Sequence, residues 1–208
     1  LGDKSGISAT LHQLAMIHQD KGDYDEAKKL YEDSLKIKRE LGDKSGISAT
    51  LHQLAMIQED KGNYDEAEKL CKQSLEIEES LGDKRGVSAT LHQLAMFQQK
   101  RGNHDKAEEL YQQSLNIKKK LEDKHGIALT MGAMGALLRE MGRFEEALKY
   151  SLQAAYLLHQ LGLPREKLGL RDFAISAEKL GKEKVNKILD EAPEEIKTYL
   201  KQAVQIKK

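Results

Sequence analysis

The sequence predicts an all-α fold, a linear array of stacked antiparallel helix pairs. Three observations carry this. The first is a repeat with a step of 40: Leu1–Ile17 and Leu41–Ile57 are the same string, and Leu81–Phe97 departs from it only at Arg85, Val87 and Phe97. The markers Leu1, Leu41, Leu81, Leu121 and Leu161 keep that step. The second is apolar spacing of helical period on two separate stretches of each unit. The third is punctuation, a Gly followed by Asp or Asn where one helix stops and the next begins. Units with a period of this size cannot bury an apolar face alone and do so against their neighbours.

In the first unit Ile7, Thr10, Leu11, Leu14, Ala15 and Ile17 share a helical face. Asp3 stands at the N-cap and the helix is expected to run to about Lys21, closing on a left-handed Gly22. Asp23 caps a second helix, and Glu26 completes a capping-box pattern that Asn63 and Glu66 repeat. At Asn103 the third position is Lys106, which breaks the box. The second helix buries Ala27, Leu30, Tyr31, Ser34, Leu35 and Ile37, and ends near Leu41, before Gly42. Asp43 opens the next unit. Small residues at Ala15, Ala27 and Ser34 recur as Ala55, Ala67 and Ser74, then as Ala95, Ala107 and Ser114. In the fourth unit they become Gly135, Ala147 and Ala154. Helices must approach closely there, and a large side chain would cost about 1–3 kcal/mol by overpacking.

The regular units are thus 1–40, 41–80, 81–120 and 121–160, followed by a degenerate stretch over 163–208. Pro164 suits the first turn of a helix carrying Leu168, Leu170, Phe173, Ala174, Ala177 and Leu180, which Gly181 ends. Val185, Ile188 and Leu189 form a short helix, and Pro193 begins a last one with Ile196, Leu200, Ala203 and Val204. An atypical final unit is how an array hides its last apolar face. Nothing comparable precedes Leu1, so the first helix is expected to leave a face bare. The chain opens in mid-pattern without an initiator Met and reads as a fragment of a longer array.

Composition narrows the function. Lys plus Arg and Asp plus Glu both total 34, so no global basic field points to nucleic acid. Cys71 is the single cysteine, which excludes an internal disulfide framework. No apolar run reaches the roughly 18–20 residues that span a bilayer, no signal peptide is present, and the expected location is the cytoplasm. There is no phosphate loop, zincin motif or nucleophile elbow, and an enzyme is not expected. Cys71 stands where Tyr31 and Tyr111 stand and reads as a structural thiol. His12, His52 and His92 share one position, but stacked helices lie about 8–10 Å apart. They form a ladder rather than converging within about 2–2.1 Å of one ion, so neither a metal nor a cofactor is expected.

The pattern L-x2-L-A-x6-G-x-Y-x2-A-x3-Y-x2-S, read on Leu11, Leu14, Ala15, Gly22, Tyr24, Ala27, Tyr31 and Ser34, resembles the tetratricopeptide repeat (TPR) family. Met134, Gly135, Gly142, Phe144, Ala147 and Ala154 carry it in the fourth unit. The family's usual proline after the second helix is missing, and the step of 40 exceeds the common 34. Both departures fit extended TPR arrays such as those of kinesin light chains and many bacterial and archaeal proteins. The resemblance implies a solenoid with right-handed superhelical twist and a concave groove lined by the first helix of each unit. The matching positions are His12, Gln13, Met16, Gln19 and Asp20, then His52, Gln53, Met56, Glu59 and Asp60, then His92, Gln93, Met96, Gln99 and Lys100. In the fourth unit they are Gly132, Ala133, Ala136, Arg139 and Glu140. With His, Met, Gly and Ala in place of the Lys/Asn clamp of TPR co-chaperones, capture of a C-terminal carboxylate is not expected.

The second helices carry Lys28, Lys29, Lys36, Lys38 and Arg39, then Glu66, Glu68, Glu76, Glu78 and Glu79, then Lys106, Lys118, Lys119 and Lys120. These are expected on a solvated outer face, where an exposed pair contributes about 0–1 kcal/mol. The leading expectation is a non-enzymatic scaffold whose groove binds a peptide or helix of a protein partner, without nucleic acid or membrane. One alternative is a self-assembling array, a homo-oligomer formed through the uncapped first repeat. Another is the sensor array of a larger signalling NTPase.

Overall fold

The computed structural model describes residues 3–163 and 166–205. The expectations for Leu1 and Pro164, and for the side chains of Leu168, Ala203 and Val204, lie outside the described residues. The described chain is all-α, with eleven helices in consecutive pairs and no strand. The regular part comprises α1 (Lys4–Asp20), α2 (Tyr24–Leu41), α3 (Lys44–Asp60), α4 (Tyr64–Leu81), α5 (Lys84–Lys100), α6 (His104–Lys120), α7 (Lys124–Glu140) and α8 (Phe144–Gln160). The final helices are α9 (Glu166–Leu180), α10 (Lys182–Glu191) and α11 (Glu194–Gln205). Two compact units divide the chain, Leu1–Phe97 and Gln98–Lys208.

In the first unit one cluster joins Ala15 of α1, Ala27, Tyr31 and Leu35 of α2, and Leu51, Leu54 and Ile57 of α3, with Leu70 and Ile77 of α4 against it. The small residues are enclosed as the repeat pattern requires: Ala15, Ala27 and Ser34 are fully buried. Ser34 also ties the pair together, donating to the Ser8 carbonyl at 2.7 Å, and Ser74 does the same to Ser48 at 2.9 Å. In the second unit Gly135 is needed for contact, since a Cβ there would stand 2.7 Å from Ser151 Oγ and 3.3 Å from the Ala147 carbonyl. At Gly169 of α9 a Cβ would stand 2.8 Å from that of Ala155, a close crossing that the sequence reading missed. Ile196 and Tyr199 of α11 then cover Leu152 and Ala155 of α8.

The helix starts fall into two classes. Asp3, Asp43, Asp83 and Asp123 each accept the backbone N–H three residues on, at 2.9–3.0 Å. Asp23 and Asn63 do not cap with their side chains, so the expected capping boxes are not formed. These side chains turn back to the preceding helix instead. Asp23 Oδ2 lies 3.3 Å from His18 Nδ1, and Asn63 Nδ2 donates to Gln58 Oε1 at 2.9 Å.

A second correction concerns charge. Lys38, Glu78 and Lys118, expected on the solvated face, are buried, at 7%, 4% and 7% exposure. Position 38 continues the stripe of Ala27, Tyr31 and Ser34 at helical spacing, so packing carries it inward. Lys38 Nζ donates to Thr50 Oγ1 at 2.9 Å, and Lys118 Nζ to Thr130 Oγ1 at 2.9 Å. At Glu78 the bond reverses, and the Thr90 hydroxyl donates to Oε1 at 3.2 Å. Burial holds both lysines below the usual ammonium range, against the favourable charges of Asp43 and Asp123. Burial pushes Glu78 above the usual carboxylate range, with bonds from Ser74 and Thr90 opposing it. Glu78 Oε2 has no hydrogen-bond partner among the described residues. Glu68 is buried too, but paired with Lys72 at 2.8 Å.

Candidate functional site

Within the first unit, α1, α3 and the start of α5 present the positions expected to line a groove. The histidines are packing residues as much as surface ones. His12 is half-buried, its ring edge-on to Tyr31 with centroids 5.0 Å apart. Its Nδ1 lies 3.2 Å from Thr50 Oγ1 and 3.3 Å from Lys38 Nζ. Burial, then the Lys38 charge, keeps this imidazole below its ordinary pKa, and burial does the same at His52. Neither is therefore a cation at neutral pH. Among the described residues no group of three or more His, Cys, Asp or Glu could hold a metal ion.

Gln13 is exposed, Gln53 half-buried and Gln93 buried, and Gln93 Oε1 has no partner among the described residues. Met16 is 43% exposed and Met56 37%, while Met96 is half-buried. These side chains stay open although the apolar neighbours Leu54, Ile57, Leu94 and Phe97 are enclosed. A thioether at each step gives a soft surface that fits partners of varied shape.

The last position of the register serves the fold. Gln19 Oε1 accepts the Tyr31 hydroxyl at 3.0 Å. Where α4 carries Cys71 in place of that tyrosine, Glu59 stands in place of the glutamine. Burial first, and then the charges of Glu78 and Glu59, push the Cys71 thiol up to about 12, so it is no nucleophile. In the second unit Gln99 accepts from Tyr111 at 3.0 Å, and Arg139 donates to Asp172 of α9 at 2.9 Å. Gln19, Gln99 and Arg139 are thus tied by contacts within the chain. The paired changes at 19 and 31 against 59 and 71 were visible in the sequence as a constant spacing, and were not used. Gly132, at the histidine position of the second unit, faces open space, with nothing within 4 Å of a Cβ built on it.

A tetratricopeptide repeat model matches residues 6–80, 46–120 and 86–158. The chain belongs to the tetratricopeptide repeat family. Solved TPR structures agree in fold. BtubC (BKLC) from P. vanneervenii superposes with a TM-score of 0.78 at 20% identity, over 96% of this chain and 84% of that one. A Podosopora anserina protein described as a kinesin light chain with nearly identical TPR-like repeats gives 0.71 at 20% identity, over 98% and 99%. A Rap protein in complex with Competence and Sporulation Factor gives 0.72 at 16% identity, over 89% of this chain and 52% of that one. At these identities the likeness is one of fold. No match is found among curated proteins. No described helix is long and apolar enough to cross a membrane.

Proposed function

We infer that this TPR chain is a non-enzymatic scaffold that takes a peptide or helix of a protein partner on the first-helix register of its repeats. The observation that carries this reading is the exposure of Met56, at 37%, in a helix whose Leu51, Leu54 and Ile57 are packed, with Met16 at the same position of the preceding repeat also open at 43%. Gln13 and Gln53 lie beside them and supply hydrogen-bonding groups of both kinds. Anchors repeated along an array suit an extended or helical ligand that meets several repeats at once. Family membership supports a binding role, and the Rap complex provides a TPR-like fold seen with a ligand. The two neutral histidines, half-buried beside the methionines, argue against selection for a ligand of strong negative charge.

The test is a selection of peptides from a random display library on the intact chain, followed by calorimetry. A selected peptide is expected to lose at least tenfold in affinity, about 1.4 kcal/mol, when Met16→Glu and Met56→Glu are combined. The helical circular dichroism should be unchanged, because both side chains are open to solvent. Peptides that bind the double variant as well as the parent would sink the groove assignment.

A further inference from the structure

Within the first unit, α2, α3 and α4 line a groove of about 500 Å³. Its floor is four leucines, Leu35 of α2, Leu51 and Leu54 of α3, and Leu70 of α4. The size falls in the range of sites that hold small molecules, roughly 300–1,000 Å³. The rim is charged, and its charges are unevenly matched. Glu32, Glu40 and Glu66 each have a lysine partner, Lys28 at 3.7 Å, Lys4 at 2.8 Å and Lys69 at 3.5 Å. Arg39 shares the rim, is exposed, and has no side-chain hydrogen bond or ion pair among the described residues. It lies one helical turn beyond Leu35, on the same face of α2.

The repeat supplies its own indication of what fits there. Two repeats further along, Leu115, Met131 and Tyr150 occupy the positions of Leu35, Leu51 and Leu70. The Tyr150 ring packs against the cluster of Leu115 and Met131. Where that tyrosine is replaced by Leu70, the corresponding floor is open. We propose that this groove binds a small aromatic carboxylate, its ring on the four leucines and its carboxylate paired with Arg39. A guanidinium presents two parallel N–H donors to a carboxylate, and Lys36 adds a second positive charge at the same rim. A cationic ligand would have to compete with the lysines for the three glutamates, whereas an anionic one leaves those pairs intact. The groove shares no residue with the methionine register, so each proposal can fail without the other.

The probe is phenylbutyrate, titrated into the intact chain with the methyl signals of Leu35, Leu51, Leu54 and Leu70 observed by NMR. This readout detects binding even at millimolar dissociation constants, and saturable shifts of those methyls are expected. Phenylbutylamine, with the same body and the opposite charge, is expected to bind at least about fivefold more weakly. Arg39→Gln, at an exposed position, should weaken phenylbutyrate by about the same factor and leave the amine unchanged. Leu70→Tyr should fill the groove as Tyr150 does in its own repeat, lowering the affinity for phenylbutyrate by more than about tenfold while helicity is kept. No shift up to millimolar phenylbutyrate, equal binding of the amine, or undiminished binding to the Leu70→Tyr chain would overturn the proposal. Binding of acetyl-glycyl-phenylalanine more than about tenfold tighter than phenylbutyrate would assign the groove to the C-terminus of a protein, and overturn it as well.

Discussion

Glu78 occupies a seat that lysine fills at positions 38 and 118, and its chemistry there follows from burial. A carboxylate taken out of water with one oxygen unpaired favours its protonated form. Its pKa is higher in the folded chain than in the unfolded one. The native state therefore binds more protons in that window, and the stability that Glu78 contributes is complete below the ordinary carboxylate range and lost as pH rises through the folded value. Replacing it with glutamine removes the charge and keeps an oxygen for Thr90. The variant Glu78→Gln is expected to be more stable than the parent at pH 8 by about 1 kcal/mol, a shift of roughly 2–4 °C in Tm. That gain should vanish near pH 4. Thermal unfolding at the two pH values checks it, and a gain of the same size at both would refute the buried-charge account. The stripe from Ala27 through Tyr31 and Ser34 to position 38 was legible from spacing alone. It was misread because a charged residue is ordinarily assigned to solvent, and here a threonine one repeat on supplies the missing partner.

At the scale of the element, glycines of like appearance have opposite roles. Gly46 lies in the first turn of α3, where a Cβ would come within 2.0 Å of Asp43 Oδ2 and 3.0 Å of Lys38 Cδ. Its bareness lets the capping carboxylate fold over the helix end while the lysine stem passes beside it. Gly132, inside α7, has no such neighbour. Gly46→Ala is expected to destabilise by about 1–2 kcal/mol through loss of the cap. Gly132→Ala should stabilise by up to about 1 kcal/mol, the ordinary helix preference for alanine. Denaturant midpoints of the two variants give the comparison, and effects of the same sign would refute it. At position 122 the pattern bends further: Glu122 takes the left-handed conformation, φ 53°, that Gly42 and Gly82 take at 68°. The first-helix caps could be read from Asp3 and its equivalents because the aspartate meets a glycine three residues on. The second-helix caps could not, since Asp23 and Asn63 are drawn to His18 and Gln58 by contacts that span the turn.

At the scale of the molecule, the repeat was the plainest signal, and it fixed the helix order through α8. The degenerate helices were also legible from Gly181 and Pro193, whereas the Gly169–Ala155 crossing depends on how α9 meets α8, which no local pattern records. The groove was legible only as a register. That Tyr31 and Tyr111 hold Gln19 and Gln99 is hinted only by the paired change to Cys71 and Glu59, and the bond of Arg139 to Asp172 has no counterpart in the repeat pattern. An array whose units stabilise one another makes stability depend on neighbours as well as on sequence. The identical strings in α1 and α3 provide a direct comparison. Fully burying an Ile or Leu side chain contributes about 1.5–3 kcal/mol, and α1, with Leu14 42% and Ile17 49% exposed, gains only part of it. Amide exchange in α1 is expected to be at least tenfold faster than at the matching residues of α3. Mass spectrometry can separate the two through the differing ends His18-Gln19-Asp20 and Gln58-Glu59-Asp60. Equal protection would mean that the α1 face is covered in solution.

The junction hydroxyls also bear on how such a gene grows. The pairs Gln19–Tyr31 and Gln99–Tyr111 lie inside a single repeat, so a duplicated or deleted unit carries both members. The bonds of Lys38 to Thr50 and of Glu78 to Thr90 cross a boundary, where recombination brings together units that did not evolve side by side. Threonine accepts from an ammonium and donates to a carboxylate with the same atom. A lysine-bearing or a glutamate-bearing unit can therefore be copied in front of any unit that keeps this threonine with a bond across the junction, complete for the lysine and leaving one oxygen bare for Glu78, which leaves the number of repeats free to drift.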